Sequence, residues 1–133
     1  LQPIICVDGQ SDTNRESKRR ILNMGELHIQ VRDVIKNIPK ESNFILAYEP
    51  TWAIGSGEAA NPSEVNIIAS TIREIITNEM GSQTGRSVPI LYGGSITLDN
   101  IKNYCDLPEV NGALVGGASL DPEQLILLAT AIQ

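Results

Sequence analysis

The chain contains 133 residues, which is the size of one ordinary domain with a hydrophobic core. Its formal net charge is -6, and its basic run Lys18-Arg19-Arg20 is short and lies among polar residues. Nucleic acids and anionic membrane surfaces select clustered Lys and Arg, so we expect neither as a partner. The sequence also shows no signal peptide and no apolar stretch of transmembrane length.

The two cysteines indicate the compartment of the protein. Cys6 lies in an apolar run and Cys105 in a polar segment, and neither has metal-ligating neighbours. This pattern predicts reduced thiols in a cytoplasmic protein and no metal site. The first residue is Leu1 and not Met, so we expect the sequence to be cut from a longer one.

The first predicted strand is Pro3–Val7, an unbroken apolar run followed by a loop that begins at Asp8. A helix follows, with apolar residues at helical spacing: Leu27, Val31, Val34, Ile35 and Ile38. His28 lies off this apolar stripe. We therefore expect His28 to be exposed on the helix and not to be catalytic.

The second predicted strand, Asn43–Tyr48, ends in Glu49. Because parallel strands of (β/α) proteins carry reacting groups at their carboxyl ends, this carboxylate is a candidate catalytic group, with a solvated Glu as the alternative. Pro50 stiffens the peptide after it, whereas Gly55 and Gly57 are permissive joints. The apolar segment between them predicts a lid that closes as one body, or else a loop packed permanently on the core.

The next helix begins at Asn61, which is predicted to cap it, and its first turn is acidic. Its apolar face extends from Val65 to Met80, and residues 81–86 end it. The third predicted strand is Val88–Tyr92.

The last part of the chain repeats this order. Thr97 is predicted to cap a helix from Leu98 to about Tyr104, and the fourth strand is Ala113–Val115. A final helix opens near Asp121-Pro122-Glu123. We expect this helix to bury four apolar residues: Leu125, Ile126, Leu128 and Ala129.

The predicted order is therefore four strands alternating with helices, an α/β fold that requires parallel strands joined by right-handed crossovers. Four such units fit a small open sheet or half of a closed (β/α)8 barrel, which typically has roughly 250 residues. Periodicity alone leaves both architectures open.

Glycine pairs follow the third and fourth predicted strands: Gly93-Gly94, with Ser95 next, and Gly116-Gly117. A phosphate group needs several N–H donors directed at one point with no Cβ in the way, and glycines provide them. In (β/α)8 barrels the common phosphate site lies in the loops after strands seven and eight. If the four strands are numbers five to eight, both pairs lie there, although either pair alone could be a tight turn.

One segment carries a family resemblance. The stretch Tyr48-Glu49-Pro50-Thr51-Trp52-Ala53-Ile54-Gly55-Ser56-Gly57 closely resembles the sixth strand and lid of the triosephosphate isomerases, and the resemblance covers essentially the whole chain. It implies that residues 1–133 form a single domain, the C-terminal half of a TIM (β/α)8 barrel. The implied activity is interconversion of dihydroxyacetone phosphate and D-glyceraldehyde 3-phosphate in glycolysis and gluconeogenesis, without a cofactor.

The resemblance also implies the roles of individual residues. Glu49 would be the catalytic base, and four residues would bind the substrate phosphate: Gly55, Ser95, Gly116 and Gly117. Ile54 and Leu114 would be the apolar pair that encloses the base. Tyr92 and Ala60 would hold the closed lid.

The sequence departs from the family pattern in two respects. Asp8-Gly9-Gln10 stands where the family usually has a Gly-Glu pair, and the family's electrophilic His and its Asn and Lys belong to the first four units. We therefore expect activity to need an N-terminal half, and the isolated chain to be inactive and to pair with such a half or with itself. The alternatives are a four-carbon sugar-phosphate isomerase and a non-catalytic, phosphate-binding half-barrel.

Overall fold

The computed structural model describes residues 1–8, 23–39 and 42–133. Four short strands form one sheet in it: β1 Ile4–Val7, β2 Ile45–Tyr48, β3 Ile90–Gly93 and β4 Gly112–Leu114. All three pairings are parallel, as the sequence predicted, and the spatial order is β1-β2-β3-β4. Each new strand is added at the same edge without a reversal. This is the order of a (β/α) barrel segment, because a doubly wound sheet reverses its strand order.

Two prolines explain why strands β1 and β3 begin later than the sequence predicted. Pro3 and Pro89 have no N–H to donate, but their carbonyls accept from Ile45 at 2.9 Å and Leu46 at 3.1 Å. Each proline therefore contributes to sheet pairing as an acceptor, one residue before the regular strand begins.

The described residues contain five α-helices: α1 Met24–Lys36, α2 Pro62–Met80, α3 Ser82–Ser87, α4 Ile101–Cys105 and α5 Pro122–Ala131. Polar side chains cap the starts of the three longer ones: Asn23, Asn61 and Asp121. Short 3₁₀ turns occupy Thr51–Ala53 and Gly117–Leu120. None of the described helices combines the length and apolar character needed to cross a bilayer.

One hydrophobic core joins the sheet to the helices. The apolar face of α2 packs on it almost completely, through Val65, Ile68, Ala69, Ile72, Ile75 and Ile76. Helix α1 contributes Leu27, Val31 and Ile35, as predicted, and His28 is exposed as predicted. The core holds the strands in register, and this register fixes the positions of the loops at their carboxyl ends.

The structure corrects two helix boundaries. After Gly81, which has φ +93°, the segment predicted only to end the helix forms the short helix α3. Helix α4 begins at Ile101 and not near Leu98, because the Thr97 carbonyl accepts from the N–H groups of Asn100 and Ile101 in a turn. No side chain caps α4.

The predicted burial of α5 is wrong for most of its apolar residues. Only Leu128 is buried, at 3% exposure, whereas Leu125 and Ile126 are 42% and 65% exposed and Ala129 is also exposed. Within the described residues, α5 packs on α4 and on the turn Gly117–Leu120. Three of its apolar residues are left exposed, and we call them the α5 patch: Leu125, Ile126 and Leu127.

We predict that the 133-residue chain self-associates through this patch, since exposed contiguous apolar surface favours contacts between molecules. The double variant Ile126→Gln, Leu127→Gln is expected to shift the sedimentation profile towards the monomer. Exposed Ile29, on α1, is a matched control at which Ile29→Gln should change little. A wild-type chain that is monomeric at all concentrations would contradict the prediction.

Candidate active site

The parallel register aligns the carboxyl ends of the four strands. One row of paired residues crosses the sheet: Val7, Tyr48, Tyr92 and Ala113. The residues that follow them form a second row, which we call the rim: Asp8, Glu49, Gly93 and Leu114. Loops leaving parallel strands converge at this edge, so the rim is where a site can be assembled.

Glu49 is half-buried at the centre of the rim, and its N–H donates to the Val7 carbonyl at 2.9 Å. Its side chain lies directly over Gly93, because a Cβ on Gly93 would stand 2.6 Å from Glu49 Cγ and 2.9 Å from Oε1. The lack of a side chain at Gly93 therefore makes room for the carboxylate. The Glu49 carboxylate is directed across the rim towards β3, the strand that precedes Ser95.

Cys6, on β1, lies near the same carboxylate. Burial and the neighbouring Glu49 raise the pKa of the Cys6 thiol to about 11. Cys6 is thus a neutral thiol at physiological pH, and it is not a nucleophile. Neither cysteine is in a disulfide in the structure.

Residues 50–60, the segment after Glu49, form the loop that the sequence predicts to be a lid, and we call this loop the lid. Ala53 is fully buried and Trp52 partly buried, so the apolar middle of the lid packs on the core. Gly55 and Gly57 have φ values of +64° and +78°, a backbone conformation that favours glycine. Ile54, which the resemblance matches to an apolar partner of the base, is 52% exposed, and Leu114 is half-buried.

Ser95 holds the lid in this position. Its hydroxyl donates to the Ala53 carbonyl at 2.8 Å and accepts from the Gly57 N–H at 3.0 Å. The hydroxyl hydrogen is therefore engaged within the protein. The Ser95 group that could bind an anion here is its backbone N–H.

Four backbone N–H groups in the loops after β2, β3 and β4 have no acceptor among the described residues. No hydrogen bond within the described part of the chain uses the N–H groups of the four residues predicted to bind phosphate: Gly55, Ser95, Gly116 and Gly117. A Cβ added to Gly116 or Gly117 would meet nothing within 4 Å, so the main chain there is open to approach. Unused N–H donors on neighbouring loops are the elements of an anion site.

The two ends of the lid are held by contacts that sequence reasoning missed in part. At the start, the Asp8 carboxylate accepts from the N–H of Thr51 at 3.1 Å and from its hydroxyl. At the end, the Ala60 N–H donates to the Tyr92 hydroxyl at 2.8 Å, a pair that the resemblance pointed to. Tyr104 also bonds Ala60, and nothing in the local sequence signals this contact, since the two residues are 44 positions apart.

Consecutive parallel (β/α) units, with a half-buried acid where the second strand ends, define the class: part of a (β/α) barrel. Comparison with known families gives the same result, since the family described as "Triosephosphate isomerase" matches residues 1–132. The chain belongs to the triosephosphate isomerase family, and it has the fold of half a TIM barrel.

Individual relatives show how much of the barrel is present. The chain is 39% identical over 131 residues to "Triosephosphate isomerase" of Bifidobacterium longum. The aligned residues make up 97% of this chain and 48% of the relative. The protein of the same name from Granulibacter bethesdensis is 39% identical over 132 residues, covering 98% and 51%. That of Flavobacterium johnsoniae is 43% identical over 105 residues, covering 77% and 42%. The chain thus spans about half the length of these curated relatives.

We predict that alkylation of Cys6 depends on pH with a midpoint at about 11 rather than near 9, because the protonated thiol is favoured until the pH passes its raised pKa. The rate is to be measured by mass spectrometry in a Cys105→Ala background. Glu49→Gln removes the carboxylate charge and should move the midpoint down. A midpoint at or below 9 would contradict the raised pKa of the Cys6 thiol.

Proposed function

We propose that the protein to which this chain contributes four (β/α) units is a triosephosphate isomerase, with Glu49 as its catalytic base. The observation that supports this best is the half-buried Glu49 carboxylate, which lies over Gly93 at the end of β2. The substrate class is a small phosphorylated triose. Because the chain spans about half of its relatives, this activity is proposed for the complete barrel.

The proposed reaction is a proton transfer between adjacent carbons. Glu49 removes a proton from the carbon next to the carbonyl of dihydroxyacetone phosphate, and an enediolate forms. The hydroxyl proton on the first carbon moves to the oxygen of the neighbouring carbon, a transfer that we assign to groups of the other half of the barrel. The protonated Glu49 then returns a proton to that neighbouring carbon, which gives D-glyceraldehyde 3-phosphate. A carboxylate is a weak base in water, so exclusion of water from the reacting carbons by a closed lid is part of the mechanism.

The phosphate group is proposed to bind the backbone N–H groups of Gly55, Ser95, Gly116 and Gly117. These groups belong to the lid and to the loops after β3 and β4, so one dianion would contact all three segments. Binding energy from the phosphate, which does not react, can then be used to close the lid over the reacting carbons. No cofactor is required, because hydrogen-bond donors can stabilise an enediolate.

The remaining catalytic groups are proposed to come from the other half of the barrel. The described residues place no His, Lys or Asn side chain on the rim, whose members are Asp8, Glu49, Gly93 and Leu114. The family resemblance implies an electrophilic His and an Asn and a Lys in the first four units. We therefore propose that the 133-residue chain alone is inactive, that an N-terminal half or a second copy covers it, and that the enzyme is cytoplasmic.

We predict that Glu49→Gln in the full-length protein lowers kcat by about three orders of magnitude, because it removes the base and keeps the shape of the side chain. Binding of a phosphorylated ketose analogue should persist, since the amide donors are untouched. Steady-state kinetics and isothermal titration calorimetry measure the two effects.

The exposed Glu74 on α2 provides a matched control, and Glu74→Gln should leave kcat unchanged. Full turnover in Glu49→Gln would refute the assignment of the base. Turnover by the isolated 133-residue chain above the uncatalysed background would refute the need for further barrel units.

A further inference from the structure

Tyr104 makes a contact that the proposed reaction does not by itself require. It lies near the end of α4 and is 2% exposed. Its hydroxyl donates to the Ala60 carbonyl at 2.6 Å, across 44 residues of sequence. Ala60 is itself 3% exposed and is the last residue of the lid before Asn61, the N-cap of α2. Tyr104 thus reaches the point where the lid joins the helix.

Both backbone polar groups of Ala60, its N–H and its carbonyl, are hydrogen-bonded to tyrosine hydroxyls. Its N–H donates to the hydroxyl of Tyr92, and its carbonyl accepts from the hydroxyl of Tyr104. The rings of the two tyrosines stack with centroids 4.3 Å apart and an interplanar angle of 25°. Stacking makes the two phenols one unit, because neither ring can shift far without displacing the other.

Helix α4 also contacts the loop that is proposed to bind the anion. Asn100, the residue before α4, donates from Nδ2 to the Ser95 carbonyl at 2.9 Å. The N-terminal side of α4 therefore holds Ser95, and its C-terminal side holds Ala60. A helix of only five residues, Ile101–Cys105, separates these contacts, so Ser95 and the lid end are fixed relative to one another.

The simplest alternative is that Tyr104 is a core residue whose hydroxyl satisfies a buried carbonyl. Burial explains why the Ala60 carbonyl needs a donor. Burial does not explain why the Tyr104 ring stacks on Tyr92, the residue that accepts from the Ala60 N–H. It also does not explain why Tyr104 lies on α4, the helix whose preceding residue, Asn100, bonds the Ser95 carbonyl. Burial and the neighbouring Tyr92 raise the pKa of Tyr104 to about 12, so the phenol is a neutral donor at physiological pH.

We propose that Tyr104 is a positioning residue that sets the resting position of the lid relative to the anion-binding loop, through its hydrogen bond to Ala60. This rests on the proposed function only in that the loop binds a phosphate group. The hydroxyl stabilises the lid position that Tyr92 and Ser95 also hold. Its loss should free the lid end while the aromatic stack remains.

The test uses Tyr104→Phe in the full-length protein, because this change removes the hydroxyl and keeps the ring. Hydrogen exchange measured by mass spectrometry should increase about tenfold in peptides covering residues 50–60, since one hydrogen bond of ordinary strength is lost. The dissociation constant for inorganic phosphate should rise by a similar factor, and KM should rise more than kcat falls.

Tyr48→Phe is the matched control. Tyr48 is 4% exposed and its ring centroid is 6.4 Å from that of Tyr92, but its hydroxyl does not bond Ala60. Faster exchange confined to the lid in Tyr104→Phe, and absent in Tyr48→Phe, would support the proposal. Unchanged lid exchange, or an increase spread evenly over all peptides or equal in both variants, would overturn it.

Glu49→Gln separates this proposal from the proposed function. That variant should lose turnover and keep the exchange rate of the lid and the affinity for phosphate. If Glu49→Gln keeps turnover while Tyr104→Phe still loosens the lid, the assignment of the base fails and the role of Tyr104 stands.

Discussion

The candidate site depends on the parallel register between β2 and β3. Pairing of Tyr48 with Tyr92 brings the next residue of each strand together, so Glu49 lies against Gly93. A side chain of any size at position 93 would occupy the space of the carboxylate. The direction of Glu49 is therefore set by the sheet and by an absent Cβ. Sites held by strands are more precise than sites held only by loops.

Hydrogen bonds also fix the position of the lid relative to the ends of the strands. The lid is held at three places by contacts with different parts of the chain: Thr51 with Asp8, Ala53 and Gly57 with Ser95, and Ala60 with Tyr92 and Tyr104. Ser95 and Tyr92 both belong to β3 or the loop that follows it. The lid is thus coupled to the same strand end over which Glu49 lies, and movement of one is expected to affect the other.

Sequence reasoning found the elements whose signals are local. The apolar run before Glu49 and the proline after it identified a strand end, and Asn61 before Pro62 identified the start of α2. It did not find contacts between distant residues. Nothing near Tyr104 indicates that it bonds Ala60, and nothing near Ser95 indicates that its hydroxyl donates to Ala53. The prediction for α5 failed because periodicity gives an apolar face but not the element that covers it.

The most direct test of the central claim is Gly93→Ala in the full-length protein. A Cβ at position 93 must displace the Glu49 carboxylate, since it would lie 2.6 Å from Cγ. We predict that kcat falls roughly 10²-fold, the effect of misplacing a reacting group by about 1 Å, while inorganic phosphate binds with unchanged affinity. Unchanged kcat in Gly93→Ala would show that the Glu49 carboxylate does not act from its position over Gly93.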